Sequence, residues 1–211
     1  MKTDECIDLI LSIVTIIIAI LAVCLTLKQI KLSNKQQLLD RRITKYTLFL
    51  DLFGLYGNIR DMINYVNFDV AEMPDFIFSQ LTECEILGDT FDLMNNPSDQ
   101  RNVNLFFNKC EMLKHAAEEI TVIWKMKDLS LISDFVKQYS DLLRALHRQQ
   151  VYVVILSHRN KQQTGDVSEK QKAMAEKNKL YECLKEIDET YEKILNSDIR
   201  QKLKESLKLV R

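Results

Sequence analysis

The sequence predicts an all-α protein: one N-terminal transmembrane helix followed by a cytoplasmic bundle of five or six helices. Three observations carry that prediction. Leu9 to Leu27, LILSIVTIIIAILAVCLTL, runs for nineteen residues without a charge, which at about 1.5 Å per residue spans roughly 28 Å, the thickness of a bilayer core. The whole chain holds only 4 Gly and 2 Pro in 211 residues, too few to punctuate many short strands and turns. Beyond the apolar run, hydrophobic residues recur at steps of three and four, the period of a helix face. The expected organisation is residues 1–8 as a short extracytoplasmic N-terminus, 9–27 as the span, 28–45 as a basic juxtamembrane helix and 46–211 as the helical bundle.

In the span, Ser12, Thr15 and Thr26 can bond back to their own helix and do not spoil it. A cleaved signal peptide wants a basic start, whereas Lys2 is diluted by Asp4, Glu5 and Asp8, and no A-x-A site follows. A lipoprotein reading around Cys24 meets Val23 where a small residue is needed. An uncleaved anchor is therefore expected.

Direction follows from the flanks. From Lys28 to Lys45 six basic residues stand against one acid, Asp40; from Tyr46 to Gln100 the single base Arg60 faces ten acids. The net charge of -1 thus hides two strong local fields. Lys28, Lys31, Lys35, Arg41 and Arg42 are the expected membrane-interface residues, holding the helix exit against an anionic leaflet. Basic residues at that exit put the N-terminus outside and the C-terminal body in the cytoplasm.

The next helix carries Leu39, Ile43, Tyr46, Leu50 and Phe53 at steps of four and three, a coiled-coil-like seam expected to meet another helix. Gly54 and Gly57 follow, where a neighbour can cross closely. That helix fades near Asn67. Pro74 opens a second helix with Asp75 favourable to its dipole; Ile77, Leu81, Cys84, Leu87 and Phe91 would share one side as far as the NNPSDQ turn. Ser98 is the expected cap of a third, with a stripe from Val103 through Phe106, Cys110, Leu113, Ala117 and Ile120 to Trp124. A fourth begins near Ser130 and ends in VYVVIL, read as buried helix because no turn precedes it. Ser168 and Gln171 resemble a capping box for a fifth helix, striped by Leu184, Ile187, Tyr191 and Ile194. Ser197 would cap a short terminal helix bearing Ile199, Leu203, Leu207 and Val210.

Chemistry is sparse in this sequence. It has no GxxxxGK, GxGxxG, GxSxG or HExxH pattern. The five cysteines are isolated from one another and no permitted glycosylation sequon occurs, which points to reduced thiols in a cytosolic domain. Glu111, His115 and Glu118 share one face of the third helix, a spacing by which helix bundles hold metals. That face is expected toward water, and a second ligand helix would be needed, with Glu85, Asp89 and Asp92 as its only candidates. No metal and no cofactor is therefore expected. Helical RNases of defence systems carry an Arg, then four to six intervening residues, then His. Here His147 follows Arg144 too closely and His158 lies ten residues beyond Arg148. Basic residues after Lys161 alternate with acids, the habit of a solvated face, so no nucleic acid is expected.

At KQIKLSNKQQLLDRRITKYTLFLDL the chain resembles a loose group of uncharacterised bacterial proteins with one N-terminal span and a Gln-rich juxtamembrane helix. The matching positions are Gln36, Gln37, Leu39, Arg41, Arg42 and Tyr46, and the likeness covers roughly the first third of the chain. The resemblance implies a bacterial inner-membrane protein with a cytoplasmic helical domain. Some proteins of that layout act in defence against phage, which enters only as an implication. Three functions are compatible with these features. The first is a non-enzymatic anchored module that works through protein contacts, with the bilayer and a protein or a second copy as partners. The others are an oligomerising membrane effector, in which Ala19 and Ala22 allow close packing of spans, and a metal-dependent bundle enzyme. The first is the expectation.

Overall fold

The computed structural model describes residues 3–66, 69–90, 93, 99–124, 130–160 and 167–207. Among them there is no strand. The helices are α1 (Thr3–Val66), α2 (Pro74–Leu81), α3 (Gln100–Ile123), α4 (Ser130–Asn160), α5 (Val167–Leu195) and α6 (Ile199–Ser206), with a 3₁₀ turn at Gly88–Thr90. The chain divides into two units, Met1–Ile43 and Thr44–Arg211, and the division falls within α1.

The first unit is a single helical stretch with no core of its own. Ile10, Ile18 and Leu25 are 59%, 61% and 61% exposed. The hydroxyls of Ser12, Thr15 and Thr26 donate to the carbonyls of Asp8, Leu11 and Ala22, four residues back, at 2.8–2.9 Å. No polar side chain among those three therefore lacks a bond.

The second unit is built around α4, which packs against α2, α3 and α5. Its stripe is wide: Ile132, Phe135, Val136, Tyr139, Leu142, Leu143 and Leu146 are all buried. A helix contacted on several sides must be apolar on several sides. Its buried hydroxyls bond to neighbouring backbone. Ser133 Oγ donates to Ala117 O at 2.8 Å and Ser140 Oγ to Cys110 O at 3.1 Å. The donors are seven residues apart and so are the acceptors, in opposite order, so α3 and α4 run antiparallel on a heptad-like seam. Tyr139 OH donates to Leu81 O at 2.7 Å, satisfying a carbonyl at the α2 C-terminus that has no partner in its own helix. Burial pushes the Tyr139 phenol well above its usual pKa, so it stays a donor.

On α1 the register of burial differs from the expected seam. Phe49 and Leu52 are fully buried, with Phe53, Tyr56 and Ile59 beside them. Tyr46 and Leu50 pack at the margin of this core, and Ile43 is 45% exposed. Phe135 draws the stripe round, meeting Phe49 at 6.0 Å and Tyr56 at 6.0 Å, both edge to face, the favoured aromatic geometry. A single-sequence stripe cannot know which neighbour sets its phase.

Other boundaries moved as well. α2 stops at Leu81, so Cys84 and Leu87 belong to the turn and 3₁₀ segment after it rather than to a longer helix. Thr82 Oγ1 closes the end by donating to Phe78 O. Phe91 and Ser98 lie outside the described residues. The side chain that caps α3 is Asp99, which accepts from Arg101 N at 2.9 Å. VYVVIL is helix, yet Val151–Ile155 are only half-buried. α5 begins at Val167, so Ser168 already lies inside it. Ser197 Oγ accepts from Ile199 N at 3.4 Å and donates to Ile194 O, a turn-forming role at the α5–α6 junction. Val210 lies outside the described residues.

Of the two glycines on α1, only Gly57 marks a close crossing. A methyl group there would stand 2.6 Å from Tyr191 Oη and 3.4 Å from its Cζ, whereas one on Gly54 meets nothing within 4 Å. Tyr191 cannot easily yield, because its ring stacks on Phe53 at 4.2 Å. Gly57→Ala is therefore expected to destabilise by about 1–2 kcal/mol, overcrowding outweighing the helix-propensity gain. In a Tyr191→Phe background the same change should be neutral or stabilising. Urea melts of the four proteins check this; an equal loss in both backgrounds would show that the Oη contact is not the cause.

Candidate functional site

Each unit contributes a surface of its own. In the first, Lys28, Lys31, Lys35 and Arg41 are exposed and Arg42 is half-buried, directly after the only described helical stretch long and apolar enough to cross a membrane. The apolar residues before them have no protein cover: none of the most apolar window is buried. Of the expected seam, Leu39 is half-buried and Ile43 exposed in this unit, while Phe53 belongs to the core of the other.

In the second unit, the exposed side of α1 and the turn after α2 enclose a groove of about 470 Å³ lined by Leu50, Asp51, Gly54, Leu55, Asn58, Glu83, Cys84 and Glu85. Three carboxylates face it and no base lines it. The groove exists because α2 ends early: a continuous helix through Glu85 would have carried those acids elsewhere. Cys84 is held in its protonated form, its pKa raised chiefly by burial, which makes it a poor nucleophile.

The residues considered for metal binding part company. Glu111 pairs with Arg144 at 2.5 Å, and that bond holds its carboxyl below the usual range. His115 Nδ1 lies 3.5 Å from Glu118, both on the open surface. Asp89 pairs with Lys109 at 3.5 Å, Glu85 lines the groove, and Asp92 lies outside the described residues. Among the described residues no group of three or more potential ligands converges.

Sequence reasoning missed two polar clusters that join distant segments. Arg60, the lone base of its region, bridges α1 to α5 through Asp188 and Glu192. The Asp188 hydrogen bond raises its pKa. Tyr56 donates to the same Asp188 at 3.4 Å, and burial first, then the Asp188 charge, drives its phenol far above normal. The second cluster is Asp69, which accepts from Lys177 at 2.6 Å, from Ala71 N at 2.9 Å and from Tyr181 OH. Burial works to raise the Asp69 pKa, but these donors outweigh it and hold the carboxyl below its usual value. Lys177 is correspondingly raised by the Asp69 bond. Only the isolated acid in a turn hinted at this clamp, and a lone acid is too common to single out.

A carboxyl depressed by folding stabilises above its unfolded pKa, and that stabilisation is lost as pH falls through the lower folded value. Asp69→Asn should therefore cost about 1 kcal/mol at pH 7, modest because the pair is partly solvated. The gap to the unaltered protein should begin to narrow below about pH 4, where the unfolded carboxyl takes up its proton, and shrink further as pH falls through the lower folded value. Chemical melts at pH 7 and pH 3 measure both; a gap that persists unchanged in acid would remove the Asp69 charge from the account.

No family model, no curated protein and no solved structure matches this chain, so what these surfaces do is argued from their own residues.

Proposed function

We propose that this chain is a single-pass protein of the bacterial cytoplasmic membrane, with its N-terminus outside and its helical unit in the cytoplasm. There it works by binding protein partners rather than by making or breaking bonds. The observation that carries the reading is a contrast between the two units. From Ile10 to Leu27 every side chain of the helix is exposed, although almost all of them are apolar. From Phe49 onward most large apolar side chains find a core, Phe49, Leu52, Ile77, Phe106, Tyr139 and Leu180 being fully enclosed from five different helices. An apolar surface without protein cover is stable in hydrocarbon and not in water.

The basic residues Lys28, Lys31, Lys35 and Arg41 support the orientation, at about 1 kcal/mol each against an anionic leaflet. The contact function draws support from the chemistry available. Tyr56, Arg60, Asp69 and Tyr139, whose pKa values are shifted in the second unit, are all engaged in bonds between segments distant in sequence. The acidic groove beside Gly54 opens to solvent and suits a polar partner.

The full-length chain is expected to stay in the membrane pellet through alkaline carbonate. External protease on intact spheroplasts should spare the C-terminal unit, and inverted vesicles should expose it. Release by carbonate, or trimming from outside, overturns the reading. His115→Ala and Glu118→Gln should leave the cellular effect of the chain unchanged; a loss of effect would favour metal chemistry instead.

A further inference from the structure

The first unit presents a face that its own chain leaves largely open, Leu39 alone on it being half-buried, and the pattern of that face says what fits it. Leu25, Gln29, Leu32, Gln36, Leu39 and Ile43 follow one another at steps of four, three, four, three and four. This is the heptad line of a coiled coil, with leucine at each d position and glutamine or isoleucine at each a position. Leu25, Leu32 and Ile43 are 61%, 57% and 45% exposed, far more than leucines on a seam tolerate once it is closed.

The flanking charges choose the occupant and its direction. The g positions are Lys28, Lys35 and Arg42; the e positions that follow them are Ser33 and Asp40. In a parallel pair each g residue meets the e residue five positions on in the other chain, so Lys35 meets Asp40 twice, once on each side. In an antiparallel pair g meets g, and three bases would face three bases. A second copy of this chain, parallel and in register, is therefore the complementary surface. Two chains anchored the same way through one bilayer meet in that direction and no other.

The span continues the line. All of its Ser, Thr and Ala residues, Ser12, Thr15, Ala19, Ala22 and Thr26, lie along one face at steps of three and four, and Thr15 and Ala22 fall on the a positions extended upward. Small residues let membrane helices approach closely where no hydrophobic force drives them together.

We propose that residues 25–43 form a parallel, in-register coiled coil with the same residues of a second copy of this chain. Leu25, Leu32, Leu39 and Ile43 supply its apolar layers, Gln29 and Gln36 its polar layers, and Lys35 pairs with Asp40 across the two chains. The polar layers fix the register, as buried amides do elsewhere in coiled coils. The inference deepens the membrane reading and rests on it only for the argument from anchoring.

The test uses the full-length chain in membranes, with Cys6 and Cys24 replaced by Ala and the three thiols of the second unit common to every variant. Single Leu32→Cys and Leu39→Cys proteins are oxidised beside Asn34→Cys, whose position lies on the outer side of the pair. Disulfide-linked dimers are expected at 32 and 39 at about ten times the yield at 34. With Leu32→Cys as reporter, Lys35→Glu and Asp40→Lys should each reduce the yield several-fold, and the two together should restore it. Equal yields at 32 and 34, no dimer at 32, or a double reversal as weak as the singles overturns the proposal. Carbonate washing separates the two readings. A chain that resists carbonate and fails to crosslink loses the pairing and keeps the anchor; one that crosslinks but washes off does the reverse.

Discussion

An exposed helix that is apolar around most of its circumference is costly in water. At about 1.5–3 kcal/mol for each large aliphatic side chain withdrawn from water, the stretch from Ile10 to Leu27 carries a penalty in aqueous surroundings comparable to or larger than the whole stability of a typical domain. No protein core relieves it, since these side chains are exposed. Every other statement about the first unit descends from that imbalance. The membrane we propose is the environment that removes it, and the self-pairing we propose would occupy the remaining polar and small-residue face.

The second unit solves the opposite problem, that of burying a helix on most of its sides. α4 is enclosed by α2, α3 and α5, so hydroxyls on it must find partners inside. Ser133, Tyr139 and Ser140 find them in carbonyls of Ala117, Leu81 and Cys110. Such bonds are individually worth about 1 kcal/mol, while an orphaned buried hydroxyl costs more. Their main consequence is specificity of register. Two serines seven residues apart can reach two carbonyls seven residues apart in one antiparallel alignment only. The flanking ion pairs Arg144–Glu111 and Lys114–Asp141 agree with that alignment, though as surface pairs they add little energy.

Charge in the second unit connects segments that are distant in sequence. Arg60 meets Asp188 and Glu192, Lys177 meets Asp69, and Lys45 meets Glu119 at 2.7 Å. Each joins segments remote in sequence, two of them helix to helix and the third the turn at Asp69 to α5. The perturbed groups these contacts create sit at helix crossings rather than round a cavity, an arrangement that marks structural networks as readily as active sites. The groove of Asp51, Glu83 and Glu85 is the exception: it is open, acidic and attached to rigid elements.

Features that depend on local period and composition are legible in the residues alone. The scarcity of Gly and Pro, the three-and-four spacing of Val103 to Ile120, the start of α2 at Pro74 and of α4 at Ser130, and the uncharged run from Leu9 to Leu27 are all consequences of single-chain physics. Helix type and an apolar stripe are written in spacing alone. Tertiary structure decided the phase and the ends. Phe49 and Leu52, not Ile43 and Leu50, became the deepest residues of α1 because Phe135 and Tyr191 approach from that side. α2 stopped at Leu81, with Thr82 closing its end and the Leu81 carbonyl taken by Tyr139. Of two glycines alike in sequence, one lies under a tyrosine and the other faces open space, because which helix crosses where is a property of neighbours that no local pattern encodes.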